Sequence, residues 1–415
     1  MRIASNRRRV SAASPNVETS SMPLEIVQII QEFSTVGGAE NVSWELARAF
    51  ERLGISNLVL TSRSAAAPDA KNVRLVIPFT SSIPTRGPLR YIGRLLVVPL
   101  FTFVATFTLR HYRNAVAISH GDTLAGDILV VHAVNIENLH EKRRAGEWMW
   151  RFNPLHLWVS LRDHFMIGGL RYRRYVAVSP RVAGELKHHY NVPADRIQVI
   201  PNGIDVERFK PDQAARRTAR ARFGIPPDAQ LLLFVGHEFD RKGLAHIIGA
   251  MERLGPEYWL LVVGAGDEGR YKRMVSQLRG RVVFAGEQRG LESIYPAADA
   301  FVLPTAYETF SLVCMEAMAC AVPVFATRVG GIEDYLVDGH NGFSIERDPN
   351  DVAAKLAQAF QDKEGLKQLA KGAYETALGY RWDAIATQYV ALVEQVDREK
   401  KASTRSTGPG MVKVV

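Results

Sequence analysis

Short apolar runs alternate with amphipathic stretches along most of this chain, and the alternation comes in two series. In the first, EIVQII (Glu25 to Ile30), NLVLT, VRLVIP, AVAIS and DILVVHAV read as strands bounded by glycine, proline or polar turn residues. Behind EIVQII lies a glycine loop, TVGGAE, and then a predicted helix with Val42, Leu46, Phe50 and Leu53 on one face. RYVAVS, followed by RVAGELKHHY after Pro180, closes this series. QLLLFVG, YWLLVVG, VVFAG, AFVLP and PVFAT form the second, each with a turn and a helical stretch behind it.

Strands this uniformly apolar suit parallel sheets covered on both faces. Their order predicts an α/β chain of two Rossmann-like domains. The break falls in NVPADRIQVIPNGID, rich in Pro, Asn and Gly, and divides residues 22–195 from 196–380. A last stretch, 381–398, has an apolar face at helical spacing, and residues 1–21 and 401–415 read as disordered polar tails.

At 415 residues and 47% hydrophobic, the chain is long enough for two cores and too apolar for disorder. Its two cysteines, Cys314 and Cys320, lie in one segment without metal-ligand partners and read as buried thiols in a reducing, cytoplasmic compartment. The net charge of +9 points to an anionic surface or substrate. Arg2, Arg7, Arg8 and Arg9 hold part of that charge in the N-terminal tail. No apolar run follows them, so no signal peptide is expected, and Met22 offers an alternative start.

The chemistry concentrates in PTAYETFSLVCMEAMACAVPV, Pro304 to Val324. It sets Glu308 and Glu316 eight positions apart across the junction of a strand, a loop and a helix. A helix starting near Phe310 or Ser311 turns its free N–H groups and positive dipole end toward the loop, where a phosphate fits. Along such a helix the two carboxylates lie about 12 Å and about 80° apart. A retaining glycosidase needs its acid and nucleophile about 5 Å apart, so that pairing is excluded. One carboxylate at the helix mouth and another two turns deeper suit an elongated ligand, and a nucleotide sugar has that shape.

ETFSLVCMEAMACAVPV resembles the Glu-x7-Glu signature of glycosyltransferase family 4, whose members have the GT-B fold and transfer sugars with retention from nucleotide donors. VIPNGID (Val199 to Asp205), FVGHEFDRKG (Phe234 to Gly243) and VVGAG (Val262 to Gly266) resemble the family's other blocks, in the right order. The likeness covers most of residues 22–400 and is strongest after about 175. Within the family, the FVGHEFDRKG spacing is most similar to the lipopolysaccharide-core glucosyltransferases.

The resemblance implies roles. Lys242 occupies the place of the diphosphate-binding lysine. The family commonly has Arg where this chain has His237, so Arg241 is expected to supply the missing cation. Glu316 would accept hydrogen bonds from the ribose hydroxyls, and its apolar neighbours Met315, Ala317 and Met318 leave it needing a partner. Glu308 would lie beside the donor sugar, with backbone N–H groups of Thr309, Phe310, Ser311 and Leu312 nearby. Gly37 and Gly38 form a second anion-friendly loop, facing the phosphates from the first domain. Gly264 and Gly266 would admit backbone close to the nucleotide, and Glu287 and Gln288 would meet the base. Asn202 and Gly203 shape the interdomain turn. The family histidine near the anomeric carbon matches His132, with His120 as the second choice. No Asp-x-Asp occurs, so no metal or other cofactor is expected. The terminal helix should cross back onto the first domain.

Two further stretches bear on the acceptor. Leu95 to Leu109 is free of charge but interrupted by Pro99 and short of a span, so it reads as a buried helix or strand, or an interfacial element. Residues 141–174 interleave eight Lys or Arg and three Asp or Glu with Trp148, Trp150, Phe152, Trp158 and Phe165. Their aromatics are either packing core or the anchors of an anionic membrane surface, and the second reading predicts a peripheral enzyme with a glycolipid or lipid-linked acceptor. Other classes fit less well. A nicotinamide dehydrogenase would carry GxGxxG after the first strand, where this chain reads QEFSTVGGAE; nucleic-acid motifs are missing, and a dead scaffold would be expected to lose Glu308, Glu316 or Lys242, all present. A glycogen-type synthase shares the fold without explaining the basic, Trp-rich stretch.

Overall fold

The computed structural model describes residues 24–65, 70–82, 89–144, 146, 149–278 and 280–406. The apolar runs become strands and the periodic stretches helices. The first series comprises β1 (Glu25–Ile29), β2 (Glu32–Phe33), α1 (Gly38–Arg52), β3 (Ser56–Thr61), β4 (Arg63–Ser64), β5 (Val73–Leu75), α2 (Leu89–Thr108), β6 (Val116–Ser119), β7 (Gly126–Val131), α3 (Asn135–Arg144), α4 (Pro154–Asp163), β8 (Tyr172–Ala177), α5 (Pro180–Tyr190) and β9 (Ile197–Val199). The second runs through α6 (Gln213–Arg222), β10 (Gln230–Val235), α7 (Phe239–Lys242), α8 (Leu244–Met251), β11 (Tyr258–Val263), α9 (Glu268–Met274), β12 (Val282–Gly286), β13 (Ala300–Leu303), α10 (Leu312–Ala319), β14 (Val324–Ala326), α11 (Ile332–Tyr335), β15 (Gly342–Ser344), α12 (Pro349–Gln361) and α13 (Lys363–Leu378). A last helix, α14 (Trp382–Ser406), follows.

Each series folds into one all-parallel sheet. The first has the order β5-β3-β1-β6-β7-β8-β9 and the second β12-β11-β10-β13-β14-β15, with β2 and β4 paired separately. Both reverse direction once, between β1 and β6 and between β10 and β13. At such a switch point the following loops diverge to opposite faces and leave a crevice at the strands' carboxyl ends. Buried runs such as Leu231 to Val235 and Leu260 to Val263 explain the uninterrupted apolar sequence, since both faces of these strands are covered.

α14 packs onto the first domain. Its buried stripe of Trp382, Ile385, Ala386, Tyr389, Leu392, Val393 and Val396 follows helical spacing. Arg52 reaches Asp383 at 3.0 Å, and Lys400 donates to Asp127 at 2.7 Å. Gly203 sits under Trp382, where a Cβ would lie 2.4 Å from the indole, so the interdomain turn and the helix start are packed together.

Four expectations change. β9 hydrogen-bonds to β8, so the first sheet extends past the division at 195/196. α14 runs beyond 398 to Ser406, so the first residues of the expected C-terminal tail are helical; residues 1–21 and 407–415 lie outside the described residues. Leu53 is the half-exposed cap of α1 and does not join the buried face of Val42, Leu46 and Phe50. β15 escaped the hydrophobic pattern because it has three residues, Gly-Phe-Ser, behind a polar turn.

Candidate active site

The second switch point carries the charged residues singled out in the sequence. Lys242 ends the short α7 after β10, and Glu308 lies in the loop after β13, the neighbouring strand. Gly243 makes their meeting possible. It adopts φ of 80°, and a Cβ there would lie 2.1 Å from the Pro304 carbonyl oxygen, so only glycine lets α7 close on the end of β13. Ala306 N–H donates to the Arg241 carbonyl at 2.9 Å, and Arg347 donates to the carbonyls of both Arg241 and Pro304 at 2.9 Å.

Within this frame Lys242 Nζ donates to Glu308 Oε1, and Thr305 Oγ1 donates to the same oxygen at 3.2 Å. Arg241 Nη1 lies 3.6 Å from it. Arg241 is also built into the loop, donating to Glu238 Oε2 at 2.8 Å and to the Tyr307 carbonyl at 2.7 Å. His237 stands exposed, 3.7 Å from the exposed Glu287, and its Nδ1 accepts from Ala265 N–H at 3.3 Å. Gln288 is held by Arg222 at 2.6 Å.

Beyond Glu308 the chain turns through Ser311, in the left-handed region at φ of 67°, and α10 begins at Leu312. Cys314 to Ala319 are all buried, so α10 is enclosed on every side and not amphipathic. Glu316 is therefore a buried carboxyl. Tyr295 Oη donates to it at 2.7 Å, yet burial pushes it up to about 7. Cys314 and Cys320 are buried, free thiols, and burial drives the Cys314 thiol up to about 12.

The side chain of Phe310 is buried against Tyr335 and Tyr380, which leaves only its backbone to meet a ligand. Thr309 and Leu312 are half-buried at the start of α10. Gly264, at φ of 131°, is a packing position, because a Cβ would meet the Gly236 carbonyl oxygen at 1.9 Å. Gly266 likewise makes room for the Phe239 ring. Sequence reasoning missed Gly330 and Gly331, which lie against the active loop. A Cβ at Gly330, φ 59°, would sit 1.6 Å from the Glu308 carbonyl oxygen, and one at Gly331 would sit 2.8 Å from Phe310 Cα. The glycine pair after the PVFAT strand was the available signal. Tyr295, Thr305 and Arg347 had none.

The first switch point faces the other side. Gly37, at φ of 106°, caps the fifteen-residue α1, with Gly38 as its first residue and Glu40 in the first turn. The two histidines weighed as alternatives are a pair. His132 Nε2 lies 3.0 Å from His120 Nδ1, and Gln28 Oε1 accepts from His120 Nε2 at 2.9 Å. Gln28 is oriented by donating to Asn57 Oδ1 at 3.2 Å. His120 Nδ1 then accepts from His132 Nε2–H, leaving Nδ1 of His132 as its lone-pair nitrogen. Burial holds both rings well below the usual imidazole range, His132 at about 4. The domains approach through these same ends: the charges of Glu185 on α5 and Glu137 on α3 act on the Tyr307 hydroxyl, and Lys142 acts on Glu238.

Residues 36–208 match the family described as Glycosyltransferase Family 4, and residues 215–376 match Glycosyl transferases group 1. The chain has the two-domain fold of the GT-B glycosyltransferases, with one of these family models matched in each domain. It is 34% identical over 242 residues to a D-inositol 3-phosphate glycosyltransferase of Xylanimonas cellulosilytica, a match covering 55% of this chain and 58% of that protein. The chain thus spans little more than half the length of such relatives. In structure it is similar to WaaG, a glycosyltransferase involved in lipopolysaccharide biosynthesis, at a TM-score of 0.71 and 19% identity over 89% of this chain and 99% of that one. It is also similar to Anabaena HepE in complex with UDP-glucose, at a TM-score of 0.66 and 17% identity over 90% of this chain and 100% of that one. These structures share the fold: two Rossmann-like domains with parallel sheets.

Proposed function

We propose that the chain moves a hexose from a UDP- or GDP-type nucleotide sugar to an acceptor, with retention and without a divalent metal. The observation that carries this reading is the meeting of Lys242 and Glu308 across the second switch point, with Glu316 buried in the helix that starts just beyond. Lys242, assisted by Arg241 and the start of α10, neutralises the leaving diphosphate, whose charge grows toward the transition state. Glu316, once ionised, accepts from the ribose hydroxyls. Glu308 lies along the sugar, and His132 approaches it from the first domain. Much of the rate comes from orientation in a closed cleft.

The acceptor in this reading is a glycolipid or lipid-linked sugar on the cytoplasmic face of a membrane. Its support is the surface of the first domain, where Leu96, Leu100, Phe103 and Phe107 of α2 are exposed. A soluble phosphorylated acceptor is the second reading, favoured by the relatives named for D-inositol 3-phosphate. A thermal-shift screen of nucleotide sugars names the donor, and proton NMR of the product's anomeric signal, with and without chelator, reads stereochemistry and metal dependence. An inverted product ends the claim of retention. If no nucleotide sugar binds, the reading as a whole fails.

A further inference from the structure

We infer that the first domain carries a second anion site, remote from the donor cleft, which takes the phosphate of an anionic membrane lipid and seats α2 and α4 in the bilayer surface. This rests on the reading of a membrane-bound acceptor given above. The site is a cavity of about 750 Å³ at the amino ends of β7 and β8, the end of the first sheet opposite His132. Seven cationic side chains line it against two carboxylates. The carboxylates are already matched: Asp127 by Lys400 at 2.7 Å and Arg173 at 3.5 Å, Glu399 by Arg174. Among the described residues, none of Arg110, Arg113, Arg171 and Arg196 has a carboxylate within ion-pair distance. Guanidinium groups gathered without counter-charge favour a phosphate, which they grip through paired N–H donors.

The surroundings say which phosphate. Leu96, Leu100, Phe103 and Phe107 form one stripe of α2, with Leu96 66% and Phe107 57% exposed. Beside it, joined by the Phe103–Trp158 ring contact at 5.7 Å, Leu157 and Leu161 of α4 are 71% and 62% exposed, and Phe165 follows at 44%. The cavity borders both stripes. Arg110 lies 4.5 Å over the Phe107 ring, and Arg171 lies 4.5 Å over the Phe165 ring. Apolar side chains rimmed by cations match the boundary of an anionic bilayer, where chains meet charged headgroups.

Residues Leu95–Tyr112 are long and apolar enough to cross a membrane by length and composition. The opposite face of α2 argues for lying flat. Val97, Phe101 and Ala105 are buried in one core with Val27, Ile29 and Leu60 of the sheet, and Leu124 N–H donates to Thr106 Oγ1 at 2.9 Å. Crossing would strip this core from the sheet.

The test sediments the full chain with phosphatidylcholine vesicles, with and without phosphatidylglycerol, at low salt. Binding is expected only with phosphatidylglycerol. Arg110→Gln/Arg171→Gln, which keeps the side-chain stems on the rings, should weaken it about 30-fold, the combined effect of two cations near such a surface. Circular dichroism and donor turnover in solution should stay unchanged. If wild type binds and the double variant binds equally, the cavity is not the site, while the membrane reading survives. If wild type does not bind, both fall. If inorganic phosphate raises the melting temperature of wild type but not of the variant, and vesicles are ignored, the cavity takes free phosphate and the lipid assignment is overturned.

Discussion

Replacing Glu316 by Gln separates what the fold needs from what the donor needs. Burial raises this carboxyl from its ordinary 4.5 to about 7, and the residue is 9% exposed. A tenfold change in acidity is worth about 1.4 kcal/mol, so ionising Glu316 inside the protein costs about 3 kcal/mol. The sign follows from linkage. Below pH 4.5 the acid is neutral whether folded or unfolded, and no stability is lost. As pH rises from 4.5 through 7 the unfolded chain releases its proton first, and stability falls. Gln imitates the neutral acid and still accepts from Tyr295. Glu316→Gln should therefore melt near wild type at pH 5 and several degrees higher at pH 8.5, followed by thermal shift with no donor present. Donor binding should show the reverse. The ionised carboxylate accepts two hydroxyl protons, which the amide cannot, so the variant should bind nucleotide sugar about 10- to 100-fold more weakly at pH 8.5. Wild-type affinity should decline below pH 7. A stability difference that stays constant between pH 5 and 8.5 would refute the buried, raised carboxyl, and unchanged donor affinity in the variant would remove Glu316 from the site.

Lys242→Ala should lower kcat by about 100-fold or more while changing donor KM less, because leaving-group charge is largest in the transition state. Arg241→Ala should be nearly as damaging if Arg241 replaces the cation absent at His237; steady-state kinetics showing a silent Arg241→Ala beside a severe His237→Ala would reverse that assignment. Gly330→Ala places a Cβ on the Glu308 carbonyl in a left-handed conformation, and should cost about 1–3 kcal/mol and raise donor KM, read by melting temperature and kinetics. His132, lowered to about 4, should stay neutral down to about pH 5, so its contribution to stability is present above 6.5 and lost as pH falls toward 4, and His120, which burial also holds well below the usual imidazole range, acts with the same sign. Ring-nitrogen NMR checks this: His132 titrating near 6.5, or bearing its proton on Nδ1, contradicts the pairing.

Much of the architecture was written in local pattern. Runs such as Leu231 to Val235 could only be strands of a covered parallel sheet, because their length suits strands and no polar alternation marks a wet face. The two carboxylates of the Glu308 to Glu316 segment were legible for the same reason: strand, loop and helix follow one another in sequence, so their relative placement is set by short-range geometry. What only the tertiary structure decided involves partners far apart in the chain. The Tyr295 hydroxyl on Glu316, the Arg347 contacts at the active loop, and the closeness of Gly330 to Glu308 depend on how loops after different strands converge at a switch point. Two histidines that looked like rivals, twelve residues apart, became one hydrogen-bonded pair because β6 and β7 are neighbours in register. Side-chain direction made the remaining difference. Phe310 lies inside the Glu308 to Glu316 segment but packs inward, and α2 is neither wholly buried nor free, since one stripe meets the sheet and the other faces outward. Hydrophobic pattern records that a residue is apolar, while packing alone determines which apolar surface is covered.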